Sequence, residues 1–372
     1  MIHGGDIYTN GLLEGRELID YSSNINPLGV PKSFIDNISD GIDALTRYPD
    51  IQYRNVLGAL GKYVRCPEEY FVLGNGAAEI IDLVISCLRS LLIVVPSFVE
   101  YEIDAKKWAC NIEYSHLKED FSGTVLLKHK YVQLSYDYED IFNKLRNVEG
   151  LILANPNNPN GNIIDKAKFI KILHYCESNN KVIIIDEAFI EFTGDDKHSF
   201  VQSVKTYKCL FIIRALTKFF AMPGIRFGYG VSSNAELIKR IKDKQNPWNI
   251  NCFAEVAAIN VLKDYRYIEK SKQWIKDERP IFLKALNNIF FLDKVFLTYG
   301  NFVLCKLKGI DSDEFYKLCL DQGFVIRKAD NFRGLDKQFI RLAIKDNVRN
   351  EKMIQCLKEL ELKVKMLGTV NN

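Results

Sequence analysis

An apolar run, Cys209 to Ile213, leads into Arg214-Ala215-Leu216-Thr217-Lys218, and Arg226 follows behind the turn former Pro223-Gly224. Upstream, the run Val182 to Ile185 ends in Asp186, and Leu151 to Ala154 continues into Asn155-Pro156-Asn157-Asn158-Pro159-Asn160-Gly161. Three strands of buried type thus deliver an amine, a carboxylate and an amide at their C-terminal ends, where open α/β sheets bind their ligands. An amine there can condense with an aldehyde, and a carboxylate can hold a protonated ring nitrogen. An amide can donate to a ring oxygen, and the rigid donor fork of an arginine suits a phosphate. An aromatic aldehyde carrying a pyridine nitrogen, a phenolic oxygen and a phosphate would use all four. That description fits pyridoxal phosphate (PLP).

Singly, each residue has a plainer explanation. A strand-end lysine can snorkel to water, Asp186 can serve a turn or a helix cap, Asn158 can belong to turn geometry, and Arg226 can form an ordinary ion pair. The ordered set is what discriminates. It includes a glycine turn, Phe71-Val-Leu-Gly74-Asn75-Gly76-Ala77-Ala78-Glu79, between a strand and a helix. Free backbone N–H groups at such a helix start bind anions, and the small residues 76 to 78 let a phosphate approach.

The elements needed to position these residues are legible in the apolar pattern. Strands are expected at Phe71–Gly74, Leu91–Val95, Ile112–His116, Leu151–Asn155, Val182–Asp186, Leu210–Arg214 and Arg226–Val231. Helices are expected near Lys32–Leu45, Tyr53–Tyr63, Phe98–Trp108, Tyr136–Val148 and Asp165–Glu177. Val/Ile/Leu runs joined by helical crossovers predict a mostly parallel sheet covered on both faces, with one antiparallel member at its last strand. From Ala254 to Asn288 the pattern is helical. A smaller α+β unit follows, with strands at Val295–Tyr299, Phe302–Leu307, Phe324–Arg327 and Phe339–Ile344, a helix near Ser312–Gln322 and a last helix to about Leu360. The N-terminal segment reads as irregular and as joining this second lobe. The tail from Leu367 is expected to fray.

The 372 residues, 47% of them hydrophobic, suffice for a sizeable core and two lobes. A net charge of +3 on 97 charged side chains gives no nucleic-acid surface. The nine cysteines and five histidines are scattered without metal-type spacing, so no metal site is expected. Free thiols suit a reducing cytoplasm. No signal-peptide pattern opens the chain, and no apolar stretch reaches membrane-spanning length.

Asn157-Asn158-Pro159-Asn160-Gly161, Asp186-Glu187-Ala188-Phe189 and Thr217-Lys218 through Gly224-Ile225-Arg226 resemble the class I/II aminotransferase superfamily, fold type I of the PLP enzymes. The resemblance runs from His3 to about Arg349. It implies an α/β fold with a large seven-stranded, mostly parallel sheet domain over residues 46–260. A small α+β domain would be built from residues 261–372, with residues 1–45 as an arm that joins it, and the enzyme would be a homodimer. It implies that Lys218 is the Schiff-base lysine and Asp186 the partner of the pyridine nitrogen, that Asn158 binds the ring oxygen, and that Gly76, Ala77, Thr217 and Arg226 bind the phosphate. Phe98 would stack on the cofactor, Tyr48 would reach the neighbouring subunit's phosphate, and Arg341 would clamp a substrate carboxylate.

Two branches of the family compete. Arg47-Tyr48-Pro49-Asp50 is similar to histidinol-phosphate aminotransferases. His3-Gly4-Gly5-Asp6, Ser22 to Gly29 and Ile326 to Leu335 look more like threonine-phosphate decarboxylase of the cobalamin pathway. In that branch His3, Gly4, Asn24, Asn158, Arg327 and Arg341 would surround the substrate. Phe189, where many aminotransferases have tyrosine, removes one hydroxyl from the ring oxygen, and Lys328-Ala329 departs from the Asp-Cys pair of the decarboxylase motif. The expected activity is decarboxylation of a small phosphorylated amino acid, with transamination as the alternative. A non-catalytic PLP-binding regulator ranks lower, since the whole ligand set is present and no DNA-binding domain is appended. A nicotinamide-dependent dehydrogenase is disfavoured because Gly74-x-Gly76 lacks the third glycine of that motif.

Overall fold

Seven strands form one sheet in the order Phe71–Gly74, Gly228–Val231, Leu210–Ala215, Val182–Asp186, Gly150–Ala154, Ser90–Val95, Asn111–His116. The computed structural model describes residues 3–121, 125–126 and 129–370. Gly150–Ala154 and Leu210–Ala215 are buried at every position. Their polar groups are used up in the ladders, so apolar side chains can meet helices on both faces. Gly228–Val231 runs antiparallel to both of its neighbours. Its link from Ala215 carries no crossover helix, which a parallel return would need.

Helix starts follow from short polar side chains. Asp165 accepts from the Ala167 and Lys168 N–H groups at 3.0 and 3.2 Å, and Asn251 from Ala254 at 2.8 Å. Asp311 takes Asp313 and Glu314, both at 2.9 Å. Each such cap stabilises by about 1 kcal/mol.

The second, four-stranded sheet is antiparallel throughout, in the order Leu292–Val295, Phe302–Leu307, Phe339–Ala343, Arg327–Lys328. Arg327 and Arg341 are register partners across its last pair. Residues directly opposite project from the same face. The N-terminal segment joins this lobe through Ile19–Asp20, which pairs in parallel with Phe324–Val325.

Several expected elements are corrected. Lys32 to Leu45 forms two helices, Lys32–Ile35 and Ile38–Ala44. Between them the Asn37 side chain donates to the Ser33 carbonyl at 2.8 Å, taking an acceptor that the continuing helix would use. The strand expected from Arg226 begins at Gly228, because Pro223–Ile225 make a 3-10 turn and Arg226 adopts φ 57°. Phe324 to Arg327 divides between two sheets, and the strand expected at Val295–Tyr299 is Leu292–Val295. The helix Ala235–Lys242 is not among the expected elements, although Leu237, Ile238 and Ile241 form a buried apolar face on it, and the pairing of Lys118–Asp120 with Gln133–Ser135 is too short and polar for an apolar pattern to show. The last helix continues past Leu360 to Val370, and Asn371 and Asn372 lie outside the described residues.

One strand position controls the turn below the glycine-started helix. A Cβ on Gly228 would sit 2.4 Å from the Ala77 nitrogen and 2.6 Å from the Gly76 carbonyl carbon. Backbone cannot yield as a flexible side chain can. Gly228→Ala is expected to cost about 1–3 kcal/mol of stability, and denaturant unfolding of the two proteins measures it.

Candidate active site

The C-terminal ends of the parallel strands open into a cavity of about 280 Å³. Its wall includes Ala77, Phe98, Asn158, Asp186, Thr217, Lys218 and Arg226 from the large sheet's loops. Arg327 and Arg341 enter from the small sheet, and His3, Gly4 and Asn24 from the N-terminal segment. Residues spread over more than three hundred positions of sequence therefore meet at one place. Phe189 also lines it, packed edge-on against Phe302, so no hydroxyl is offered at that position.

Two residues named from the sequence stand apart. Gly76 backs the cavity without lining it: at φ 80° it leaves room for Arg226, whose Nη2 would be 2.4 Å from a Cβ there. Tyr48 is 78% exposed and packs on Trp248, with ring centroids 4.7 Å apart. Within one chain it does not reach the cavity.

The charges are unevenly matched. Asp186 is buried, with Oδ2 accepting from the Tyr101 hydroxyl at 2.6 Å and Oδ1 from the Ala188 N–H at 2.9 Å. Burial raises its carboxyl pKa, and among the described residues it has no ion pair. Lys218 likewise makes no ion pair there. Burial first, then the charge of Arg341, pulls its amine down to about 8.

Arg341 is buried and donates from Nη1 to Asn158 Oδ1 and from Nη2 to the Ser22 carbonyl at 2.7 Å, while its Nε has no partner. Burial and then Arg327 pull its pKa down to about 9. Asn24 Oδ1 is a second buried atom without a hydrogen bond. Arg327 donates to the Lys328 carbonyl and to Asn331 Oδ1, both at 2.7 Å. His3 Nε2 lies 2.8 Å from Glu100 Oε1. Arg333 grips Glu102 of the same helix through two bonds of 2.7 and 2.6 Å, tying the 329–335 loop to the rim.

Sequence reasoning missed the residues that hold these groups in place. Asn26 donates to the Phe219 carbonyl at 2.7 Å, and its own N–H donates to the Lys218 carbonyl at 3.1 Å. Asp20 accepts from the Ser22 hydroxyl at 2.6 Å, and the Ser22 hydroxyl accepts from the Gly5 N–H, also at 2.6 Å. A Cβ on Gly4 would be 2.3 Å from the Ser22 oxygen, so only glycine allows the segment to lie this close. The run Asp20 to Asn26 shows turn chemistry in the sequence, but nothing there says what the turn touches.

A family model described as aminotransferase class I and II matches residues 16–358. The chain belongs to that family, and membership implies pyridoxal phosphate as cofactor. A threonine-phosphate decarboxylase of Salmonella typhimurium is 32% identical over 96% of each chain. A protein of Caldanaerobacter subterraneus provisionally named for the same activity is 41% identical, covering 96% of this chain and 93% of its own. A crystal structure described as the histidinol-phosphate aminotransferase of Clostridium acetobutylicum is 53% identical with a TM-score of 0.88, covering 93% of this chain and all of that one. Both expected branches are thus represented among the similar proteins.

The lowered Lys218 pKa has a direct readout in the cofactor-free protein. Amine acylation followed by mass spectrometry should show Lys218 reactivity rising with pH and reaching half its maximum near pH 8, because only the neutral amine attacks. An ordinary lysine does so near 10.5.

Proposed function

We propose that the chain is a PLP-dependent decarboxylase of a small phosphorylated amino acid, with O-phosphothreonine as the preferred substrate. The observation that carries this reading is a single cavity lined by Arg327 and by Arg341, whose buried Nε is unpartnered, together with Asp186 and Lys218. Two guanidinium groups suit a ligand that carries a carboxylate and a phosphate at once. Histidinol phosphate has no carboxylate, and in an aminotransferase the carboxylates would come from the 2-oxoglutarate.

The residues suit the cofactor. Asp186 is a buried carboxyl without an ion pair among the described residues, and a protonated ring nitrogen beside it would favour its charged form. Lys218 is an amine whose neutral form is accessible near neutral pH. The helix opening at Ala77, Thr217 and Arg226 would hold the phosphate, with Gly76 keeping the approach open. Asn158, whose Oδ1 is taken by Arg341, has its amide N–H groups left for the ring oxygen. Phe98 supplies an apolar face. When bound, PLP supplies an aldehyde for the substrate amine and a ring that accepts the electron pair released at Cα.

The chain's own groups do the rest. Arg341 holds the substrate carboxylate, while Arg327, with His3, Gly4 and Asn24, receives the phosphate. Placement of the carboxylate decides which bond at Cα breaks. In decarboxylation the Cα–carboxylate bond is cleaved, carbon dioxide leaves, and the Lys218 Nζ returns a proton to Cα. The N-terminal segment and the Arg333–Glu102 pair stand at the rim of the cavity. The division at residues 45 and 260 places the large sheet in one domain and the small sheet with the arm in the other.

The deciding experiment offers O-phosphothreonine alone, and histidinol phosphate with 2-oxoglutarate. Carbon dioxide release from the first without glutamate from the second is expected. Glutamate formation with no carbon dioxide would move the chain to the aminotransferase branch.

We further infer a homodimer. Ile35, Ile38, Ile42, Leu45 and Tyr48 are exposed large apolar side chains on one short stretch, more than a free surface of this size usually leaves open. A second copy of the chain would cover them and bring Tyr48 toward the partner's phosphate site. Sedimentation should give a dimer for the native protein and a monomer for Ile38→Glu/Ile42→Glu; a native monomer would refute this.

A further inference from the structure

Tyr101 has no role in the reading so far, yet it touches the group on which the ring nitrogen would rest. It belongs to the helix Glu100–Lys107 and is fully buried. Its hydroxyl donates to Asp186 Oδ2 at 2.6 Å. Its ring stands edge-on to Phe98, with centroids 5.8 Å apart and planes at 86°, and its N–H donates to the Phe98 carbonyl at 3.2 Å. One side chain therefore braces both the carboxylate assigned to the edge of the cofactor and the ring assigned to its face.

We propose that Tyr101 is a positioning residue for the cofactor, holding the Asp186 carboxylate ionised and in one orientation toward the ring nitrogen. The proposal rests on the PLP reading and extends it to a residue outside the ligand set.

The geometry accounts for both halves of that statement. A carboxylate at a strand end can turn about its side-chain bonds. Here its two oxygens are tethered from different elements, Oδ2 to the helix through Tyr101 and Oδ1 to its own chain through Ala188. Each oxygen keeps lone-pair capacity for the cavity, because a carboxylate oxygen accepts more than one bond. Burial favours the neutral acid, and the Tyr101 bond is the foremost interaction opposing it, ahead of the Ala188 N–H. Burial raises the phenol of Tyr101 well above its ordinary range, so the hydroxyl stays a donor. A bond to an ionised acceptor is shorter and stronger than a neutral one, and losing it in a buried site leaves the charge short of a partner.

The test is a mutant cycle of the full-length protein with Tyr101→Phe and Asp186→Asn, singly and together. Each cofactor-free protein is titrated with pyridoxal phosphate, its dissociation constant is measured by fluorescence quenching, and its melting temperature is recorded before the cofactor is added. Tyr101→Phe should weaken binding about tenfold where Asp186 is present and less than twofold in the Asp186→Asn background. Equal loss in both backgrounds would overturn the proposal, since Tyr101 would then act through Phe98 alone. So would a drop in melting temperature with the dissociation constant unchanged, which is what a purely structural residue gives. Tyr101→Leu, which also removes the hydroxyl, runs through the same cycle if the phenylalanine protein does not fold. A native protein that binds no pyridoxal phosphate, and gains no mass on Lys218 with borohydride, would instead end the parent reading and this one with it.

Discussion

Burial of unpaired charge is the constraint on which this molecule turns. Asp186, Lys218 and Arg341 surround one cavity, and among the described residues none has an ion-pair partner. Taking such groups out of water costs several kcal/mol each. The rest of the chain must offset that cost through two extended apolar layers, between which Gly150–Ala154 and Leu210–Ala215 are buried over their whole length. The shifts at these groups all run toward the neutral form, as desolvation requires. A ligand that is cationic at one edge and anionic at two others would relieve all three.

Adjacent residues show how the sheet separates reactive from structural charge. Asp186 faces the cavity, while Glu187 points beneath it and is satisfied there. It accepts from Arg214 at 2.9 Å, from the Ser199 hydroxyl at 2.7 Å and from the Phe200 N–H at 2.6 Å. Arg214 lies within 3.6 Å of Glu191 as well. This cluster ties the strand that ends at Asp186 to the strand that leads to Lys218. Alternation along the backbone puts one carboxylate to each side, and only the one with a complete set of partners is at rest.

The arginine half of the site is assembled differently. Arg327 and Arg341 stand opposite each other in a second sheet, and Arg341 is aimed by a carbonyl, that of Ser22, from the far end of the chain. That carbonyl is itself set by the Asp20–Ser22–Gly5 bonds. The residues proposed to set substrate specificity thus lean on a segment with little regular structure, a 3-10 turn at Leu12–Glu14 and a two-residue strand pairing. The groups proposed to hold the cofactor stand on the large sheet and its loops. The two functions can vary separately, and the similar proteins carry the names of two different reactions on one fold.

The amino-acid order alone determined the sheet and the positions of its chemistry. Apolar runs of strand length are insensitive to context once both faces are covered, so Asp186, Asn158 and Lys218 could be placed at strand ends before any coordinates. The glycine turn before Ala77 and the Pro-Gly turn before Arg226 were visible for the same local reason. Only the tertiary structure decided what those groups touch. Tyr101 reads as one aromatic in an amphipathic helix, and its bond to Asp186 crosses 85 residues. Asn26 and Ser22 read as loop formers, and their partners lie 193 and 319 residues away. Hydrogen bonds between distant segments leave no period in the sequence. They depend on how the layers close, and with them go the orientation of the carboxylate, the lowered lysine pKa and the choice of substrate.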